Sequence, residues 1–181
     1  QKGKTLAIDH VNLDIYKGDF IVLLGPSGCG KSTLLNLVAG YNLATEGNVL
    51  MHNQPIVAPD KNRGVVFQST NLYPWLTVRQ NIEYGLKIAK IDKAIRYEKS
   101  KKYLEEINLS NYADHYPFEL SGGMQQRVAL ARTLINEPEI LLMDEPFGAL
   151  DAMTRVNMQG LLRRLWNNGA QTFFLITHDI D

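Results

Sequence analysis

The sequence is poor in several features, and each shortage excludes a class of protein. A single cysteine among 181 residues excludes an internal disulfide bond and suits a reducing compartment. The longest unbroken apolar runs have about five residues, far fewer than the roughly 20 that a membrane-spanning helix needs. Nineteen basic and nineteen acidic side chains cancel, so the chain lacks the broad positive field of a typical nucleic-acid-binding protein. We therefore expect a soluble intracellular protein that does not bind nucleic acid.

The first motif is a glycine-rich stretch between two apolar runs. Residues 25–33 read Gly-Pro-Ser-Gly-Cys-Gly-Lys-Ser-Thr, which fits the phosphate-loop pattern G-x-x-x-x-G-K-S. A run of the buried-strand type precedes it and a helix-like run follows it, which is the context that this motif requires. Glycines let successive backbone N–H groups turn towards an anion, and the following helix adds its positive N-terminus. The sequence therefore predicts a site for a nucleoside triphosphate.

Every residue of this phosphate loop belongs to the predicted nucleotide site. We expect Lys31 to reach the β- and γ-phosphates and the Ser32 hydroxyl to bind Mg²⁺. The predicted nucleotide-binding residues of the loop are Gly25, Pro26, Ser27, Gly28, Cys29, Gly30, Lys31, Ser32 and Thr33.

A second motif supplies the carboxylates that such a loop needs. An apolar run at residues 140–143 leads into Asp144 and Glu145. Because a carboxylate at the end of a core strand can hold Mg²⁺, we assign Asp144 to the metal, opposite Ser32. Glu145 follows directly and points differently, so it is the predicted general base that activates or orients the attacking water.

Patterns elsewhere predict alternating strands and helices. Apolar runs predict core strands at residues 20–24, 64–67, 140–143 and 172–176. Helical periodicity predicts helices at residues 34–39, 78–89, 96–107, 123–135 and 153–167. Partial alternation at residues 6–15 and a short run at residues 49–51 predict antiparallel strands. Strand and helix alternate on both sides of a helical insertion, which indicates an α/β fold with a parallel sheet.

The most diagnostic stretch is residues 120–127, Leu-Ser-Gly-Gly-Met-Gln-Gln-Arg. A serine and two glycines at the start of a helix can bind an anion, or they can form an ordinary helix cap. The stretch resembles the signature of ABC-type ATPases. That resemblance implies that Ser121, Gly122 and Gly123 contact the nucleotide held by a second copy of the chain. It also implies ATP and Mg²⁺ as cofactors and a head-to-tail dimer.

The resemblance further implies the domain organisation. The expected fold is α/β, with a P-loop NTPase parallel-sheet core, a small antiparallel β lobe and an inserted helical lobe (an ABC ATPase cassette). Residues 1–181 are expected to form a single ABC ATPase domain, with residues 1–68 and 126–181 as core and β lobe and residues 69–125 as helical lobe. We expect the chain to lack part of the cassette at both ends, because few residues follow its last predicted strand.

Further positions match functional motifs of the family. Gln68 matches the glutamine switch that senses Mg²⁺ and the attacking water, which makes it both a catalytic and a metal-binding candidate. His178 matches the histidine that contacts the γ-phosphate, and with Glu145 it completes the implied catalytic set. The family usually carries an adenine-stacking aromatic residue near the N-terminus, whereas Gln1 and Lys2 stand at about that position here.

A narrower resemblance is to the nitrate, sulfonate and taurine importers. It rests on Gly-Val-Val-Phe-Gln at residues 64–68, Leu-Tyr-Pro-Trp-Leu-Thr-Val at 72–78 and Glu-Pro-Phe-Gly-Ala-Leu-Asp-Ala-Met-Thr-Arg at 145–155. It implies an ATP-hydrolysing importer subunit that drives uptake of a small anion or sulfonate-type solute. The implied partners are transmembrane permease subunits that contact the segment from Gln68 to Val78 and, indirectly, a solute-binding protein. The implied location is the cytoplasmic face of the bacterial cell membrane, as a peripheral subunit.

Two alternatives stay open at this point. Tyr73 and Trp75 fit burial in the core as well as they fit contact with a permease. A soluble ABC-type ATPase acting on nucleic acid or ribosomes is the alternative function. The zero net charge and the short helical insertion favour the importer.

Overall fold

The structure is a computed structural model that describes residues 6–167 and 171–178. Its strands are β1 (Phe20–Leu24), β2 (Leu50–Met51), β3 (Gln54–Pro55), β4 (Arg63–Val66), β5 (Ile140–Asp144) and β6 (Thr172–Thr177). Its α-helices are α1 (Lys31–Ala39), α2 (Val78–Ile88), α3 (Lys93–Glu106), α4 (Gly122–Leu134) and α5 (Ala152–Asn167). Two short 3₁₀ helices lie at Ser110–Tyr112 and Pro117–Glu119.

Four of the strands form one parallel sheet in the order β1-β6-β5-β4. The two shortest strands, β2 and β3, pair antiparallel in a separate hairpin. Parallel neighbours need crossover connections, and helices supply them here. The predicted α/β fold, a parallel core beside a small antiparallel sheet, is therefore confirmed.

The sheet is the middle layer of a three-layer core. Side chains alternate along each strand, so Leu141 and Phe173 face the layer that contains α4 and α5, whereas Leu142 and Phe174 face α1. All four side chains are fully buried. Full burial of each such side chain contributes about 1.5–3 kcal/mol, which explains why the central strands β5 and β6 are almost continuously apolar.

One segment differs from its prediction. Residues 6–15 were expected to form a half-buried antiparallel strand, and the structure shows no strand there, so this prediction was wrong. His10 adopts a left-handed φ of 46°, which interrupts an extended run. Val11 and Leu13 are each 51% exposed, whereas Ile15 packs against the core, so the alternating residues do not share one buried face.

The helical insertion between β4 and α4 is held to the core by polar contacts as well as apolar ones. Helix α2 packs against both α3 and α4. On α3, the Tyr103 hydroxyl donates a hydrogen bond to the carbonyl of Leu134 at 3.1 Å. Burial, assisted by the nearby carboxylates of Glu137 and Glu106, raises the pKa of Tyr103 to about 12. Tyr103 therefore stays a neutral donor that ties the insertion to the end of α4.

A buried amide on α2 positions the segment that follows Gln68. Asn81 is fully buried, and its Oδ1 accepts from the Tyr73 N–H at 2.8 Å. Its Nδ2 lies within hydrogen-bond reach of the carbonyls of Tyr73, Leu76 and Thr77, at 3.1, 3.0 and 3.0 Å. The loop before α2 is thus fixed by one side chain rather than by pairing with a strand.

We predict that Asn81→Ala lowers the free energy of unfolding by about 2–4 kcal/mol, because it leaves several buried backbone groups without a partner. The neighbouring exposed amide, Gln80, only caps α2 through the Thr77 N–H, so Gln80→Ala should cost about 1 kcal/mol or less. Denaturant unfolding of both variants measures the difference. Equal losses for the two variants would contradict the role assigned to Asn81.

Candidate nucleotide site

The site lies where the carboxyl ends of the parallel strands meet at one edge of the sheet. The phosphate loop follows β1, Gln68 follows β4, and His178 follows β6. Asp144 ends β5 and Glu145 comes next. Parallel α/β sheets bind their ligands at this edge, so the fold brings predicted site residues from distant parts of the chain together.

The phosphate loop has the backbone conformation that an anion cradle requires. Gly28 and Gly30 take left-handed φ values of 82° and 98°, which side-chain-bearing residues rarely adopt. Space is also limited at Gly30, where an added Cβ would lie 2.5 Å from the carbonyl oxygen of Ala7. Helix α1 begins at Lys31, so its positive N-terminal end points into the loop.

Lys31 is held inside its own loop. Its side chain is only 8% exposed, and its Nζ donates to the carbonyls of Gly25 at 2.6 Å and Pro26 at 2.7 Å. These contacts hold the ammonium group on the loop rather than in solvent. Ser32, one residue further, is exposed at the start of α1. A phosphate entering the loop would therefore meet a pre-positioned cation, a hydroxyl and a row of backbone N–H groups.

Three of the predicted residues meet at one carboxylate. Glu145 Oε1 lies 2.8 Å from His178 Nδ1, and Glu145 Oε2 accepts from Gln68 Nε2 at 3.3 Å. The backbone of Glu145 has a left-handed φ of 48°, and its N–H donates to the carbonyl of Ile176 at 2.9 Å. An uncommon backbone conformation is thus stabilised by a bond to β6, and it directs the carboxylate between the glutamine and the histidine.

The predicted metal ligands form a set of mixed oxygen donors. Asp144 is half-buried at the end of β5, in register with Ile176 of β6. Residues 6–167 and 171–178 contain no group of three or more His, Cys, Asp and Glu side chains that could hold a metal by themselves. Mg²⁺ commonly binds to one or two protein oxygens together with waters and substrate phosphates, so Ser32, Gln68 and Asp144 fit this ion.

The signature stretch lies at the start of α4. Ser121 caps the helix by accepting from the Met124 N–H at 3.3 Å, and both Ser121 and Gly122 are exposed. Gly123 packs against the loop after Glu145, where an added Cβ would lie 3.1 Å from the carbonyl oxygen of Ala149. The structure therefore presents a capped helix N-terminus to solvent.

Gln126, which lies on the first turns of α4, was not among the predicted site residues. Its side chain is 2% exposed, its Nε2 donates to the Glu145 carbonyl at 3.4 Å, and its Oε1 accepts from the Ala149 N–H at 3.3 Å. A polar side chain near the apolar run 128–131 of a buried helix was the available signal. It could not reveal the partner, because the partner lies on a different loop.

A parallel sheet whose first strand leads into a phosphate loop, with acidic residues at the end of a neighbouring strand, defines a P-loop nucleoside triphosphatase. The model of the ABC transporter family matches residues 8–148. The chain therefore belongs to the ABC transporter family, in which it is an ATP-binding subunit that hydrolyses ATP. These results confirm the predicted family resemblance and the predicted ATPase activity.

Relatives along the whole chain support this assignment. An uncharacterized ABC transporter ATP-binding protein of Methanocaldococcus jannaschii is 49% identical over 179 residues, which cover 99% of this chain and 67% of the relative. An aliphatic sulfonates import ATP-binding protein of Bacillus thuringiensis is 45% identical over 181 residues, which cover 100% of this chain and 71% of the relative.

A solved structure has the same fold. The dimeric post-hydrolysis state of the ATP-binding cassette MJ0796, bound to ADP and Pi, superposes with a TM-score of 0.88 at 39% identity. The match covers 96% of this chain and 81% of that one.

Among the helices of the described residues, none has the length and apolar character to cross a membrane. Gln1 and Lys2, at about the expected position of an adenine-stacking aromatic residue, lie outside the described residues.

We predict that Gly30→Ala weakens ATP binding about 100-fold or more, because the substitution combines backbone strain with a clash against the Ala7 carbonyl. Gly28→Ala is the matched control, since Gly28 has a similar φ but open space around its Cα. We expect the control to lose only about tenfold in affinity. Titration with a fluorescent ATP analogue measures both. Equal affinities in the two variants would show that the space at Gly30 is unimportant.

Proposed function

We propose that this chain is the ATP-hydrolysing subunit of an importer, and that it couples ATP binding and hydrolysis to uptake of a small anion through a membrane permease. A sulfonate-type solute, in the sulfonate, taurine and nitrate class, is the proposed cargo. The observation that carries hydrolysis is the Glu145 carboxylate, held between Gln68 and His178 beside the phosphate loop. The observation that supports import is the 45% identity to a sulfonate import subunit along the whole chain.

The proposed chemistry divides among residues of the sheet edge. Lys31 and the backbone N–H groups of the phosphate loop bind and orient the phosphates. They also stabilise the negative charge that develops on the phosphate oxygens during hydrolysis. Glu145 accepts a proton from the attacking water, and His178 and Gln68 hold its carboxylate in place. Ser32, Gln68 and Asp144 hold Mg²⁺, which neutralises phosphate charge when bound.

The proposed active unit is a head-to-tail dimer. The N-terminus of α4 at Ser121, Gly122 and Gly123 is suited to an anion, and Ser121 and Gly122 are exposed. In the proposed dimer each ATP lies between the phosphate loop of one copy and the signature stretch of its partner. ATP then favours the closed dimer and hydrolysis favours the open one.

The proposed contact with the permease is the segment from Gln68 to Val78. Trp75, near the middle of this segment, is 70% exposed, which disfavours the alternative that it is a core residue. Arg132 holds this segment in place. Its guanidinium donates to the carbonyls of Asn71 at 2.8 Å and Thr70 at 3.1 Å. The same group lies over the ring of Tyr73. An exposed tryptophan on a fixed loop is typical of a protein interface. The proposed location is the cytoplasmic face of the membrane, where the subunit contacts a solute-binding protein only indirectly.

We predict that Glu145→Gln lowers kcat at least about 1,000-fold while ATP binding persists, because the amide cannot accept the proton of water. The variant should accumulate as an ATP-bound dimer in size-exclusion chromatography. Glu139→Gln is the control, since Glu139 also contacts a histidine, His52 at 2.7 Å, away from the site. Normal turnover by Glu145→Gln would remove Glu145 from its proposed role.

We predict that Ser121→Ala impairs hydrolysis at the Glu145 of the partner copy. When one copy carries Ser121→Ala and the other Glu145→Gln, both defects fall in one composite site and the second site stays intact. When one copy carries both changes and the other none, each site has one defect. Single-turnover hydrolysis should therefore be about half of wild type in the first mixed dimer and far lower in the second.

The reverse order of activities would mean that Ser121 acts within its own copy. Asp92→Ala is the control for lost helix capping, because Asp92 caps α3 through the Ala94 N–H at 2.8 Å. When it replaces Ser121→Ala, it should leave about half of wild-type activity in either combination, because only the site with Glu145→Gln is lost.

A further inference from the structure

The side chain of Gln126 bridges both ends of the turn that carries Glu145. Its Nε2 donates to the Glu145 carbonyl at 3.4 Å, and its Oε1 accepts from the Ala149 N–H at 3.3 Å. Within the turn, the Gly148 N–H donates to the Glu145 carbonyl at 3.3 Å and the Leu150 N–H donates to the Phe147 carbonyl at 3.1 Å. The Gln126 amide is only 2% exposed, so it is shielded from solvent that could replace its two contacts. Gln126 therefore ties both ends of the turn to α4.

The bridge fixes the direction of the Glu145 carboxylate. Glu145 has a left-handed φ of 48°, and its N–H is bonded to Ile176. With the N–H anchored on β6 and the carbonyl anchored on Gln126, both peptide groups around its Cα are held. The side chain then leaves the backbone in one direction, towards Gln68 and His178. A change at Gln126 would release one of the two anchors.

The preceding residue, Gln125, connects α4 to a different loop, the one that follows β4. Gln125 Nε2 donates to the carbonyls of Pro117 at 2.9 Å and Leu120 at 3.3 Å, which fixes the turn that leads into the signature stretch. Gln125 Oε1 accepts from the Thr70 hydroxyl at 3.2 Å, close to Gln68 in the chain. Adjacent side chains of α4 thus contact the loop after β4 and the loop after β5.

We propose that Gln126 is a positioning residue that holds the Glu145 carboxylate in its direction towards Gln68 and His178. The inference rests on the proposed function, in which Glu145 accepts the proton of the attacking water. Loss of the bridge leaves the phosphate loop intact but misdirects the base, so it slows the chemical step rather than ATP binding.

The test compares Gln126 with a second buried glutamine. Gln126→Glu keeps the size and the acceptor but removes the donor, and Gln126→Leu removes both. Gln171 is also buried, at 8% exposure, and its Nε2 donates to the Pro138 carbonyl at 3.0 Å, so Gln171→Glu and Gln171→Leu are the matched controls. Steady-state ATPase assays give kcat and KM for ATP, and thermal melts give the loss of stability of each variant.

We expect Gln126→Glu to lower kcat about tenfold or more with KM for ATP within about twofold, because ATP still binds but the base is misdirected. Gln126→Leu should show a larger loss of kcat, again with KM nearly unchanged. The Gln171 variants should keep kcat even where their melting temperatures fall as much. If Gln126→Glu matches Gln171→Glu in kcat, the inference is wrong.

The same assay separates this inference from the proposed function. An active wild type with an inactive Glu145→Gln variant supports the proposed role of Glu145, and normal Gln126 variants then overturn only the positioning role. A Glu145→Gln variant that still turns over overturns both. Circular dichroism tests whether the Gln126→Glu variant is folded. If it is folded, a loss of kcat reports on the site.

Discussion

The structure depends on one constraint, the parallel pairing of β1, β6, β5 and β4. Parallel strands end at the same edge of a sheet, so the phosphate loop, Glu145 and His178 come together although they are far apart in the chain. The pairing is maintained by apolar burial on both faces of β5 and β6, not by contacts within the site. The core already holds the strands in register, so the polar groups at the edge are not needed for strand pairing and can bind the nucleotide.

The sequence predicted the elements whose evidence is local. Buried strands are continuously apolar and helices repeat every 3.6 residues, so β5, β6 and α2 to α5 were found at nearly their observed limits. Residues 6–15 show the limit of this evidence: alternation indicates a strand only where a partner strand covers one face, and Val11 and Leu13 stay half exposed. Gln126 shows a second limit, since the burial of an amide is decided by loops from elsewhere in the chain.

Buried amides explain how irregular segments next to the site keep a fixed shape. Asn81 holds the loop before α2, and Gln126 holds the turn after β5. A loop has no ladder of backbone hydrogen bonds, so its buried N–H and C=O groups need side-chain partners. In the low dielectric of the interior, such a satisfied network is rigid, and breaking one member leaves the others unpaired. This rigidity is what lets a loop present Trp75 or aim Glu145 without belonging to a strand.

The phosphate loop and the signature stretch differ in how far each is prepared for ATP. Lys31 already lies within its loop, and a phosphate would replace its two neutral carbonyl acceptors by charged oxygens, which form shorter and stronger hydrogen bonds. Little rearrangement is required at this half of the site. Ser121 instead caps an exposed helix end, and in the proposed dimer its nucleotide is held by the partner copy. Because the phosphate loop needs little ordering, most of the free energy of ATP binding is available to close the proposed dimer. This difference between the phosphate loop and the signature stretch lets nucleotide binding drive a movement.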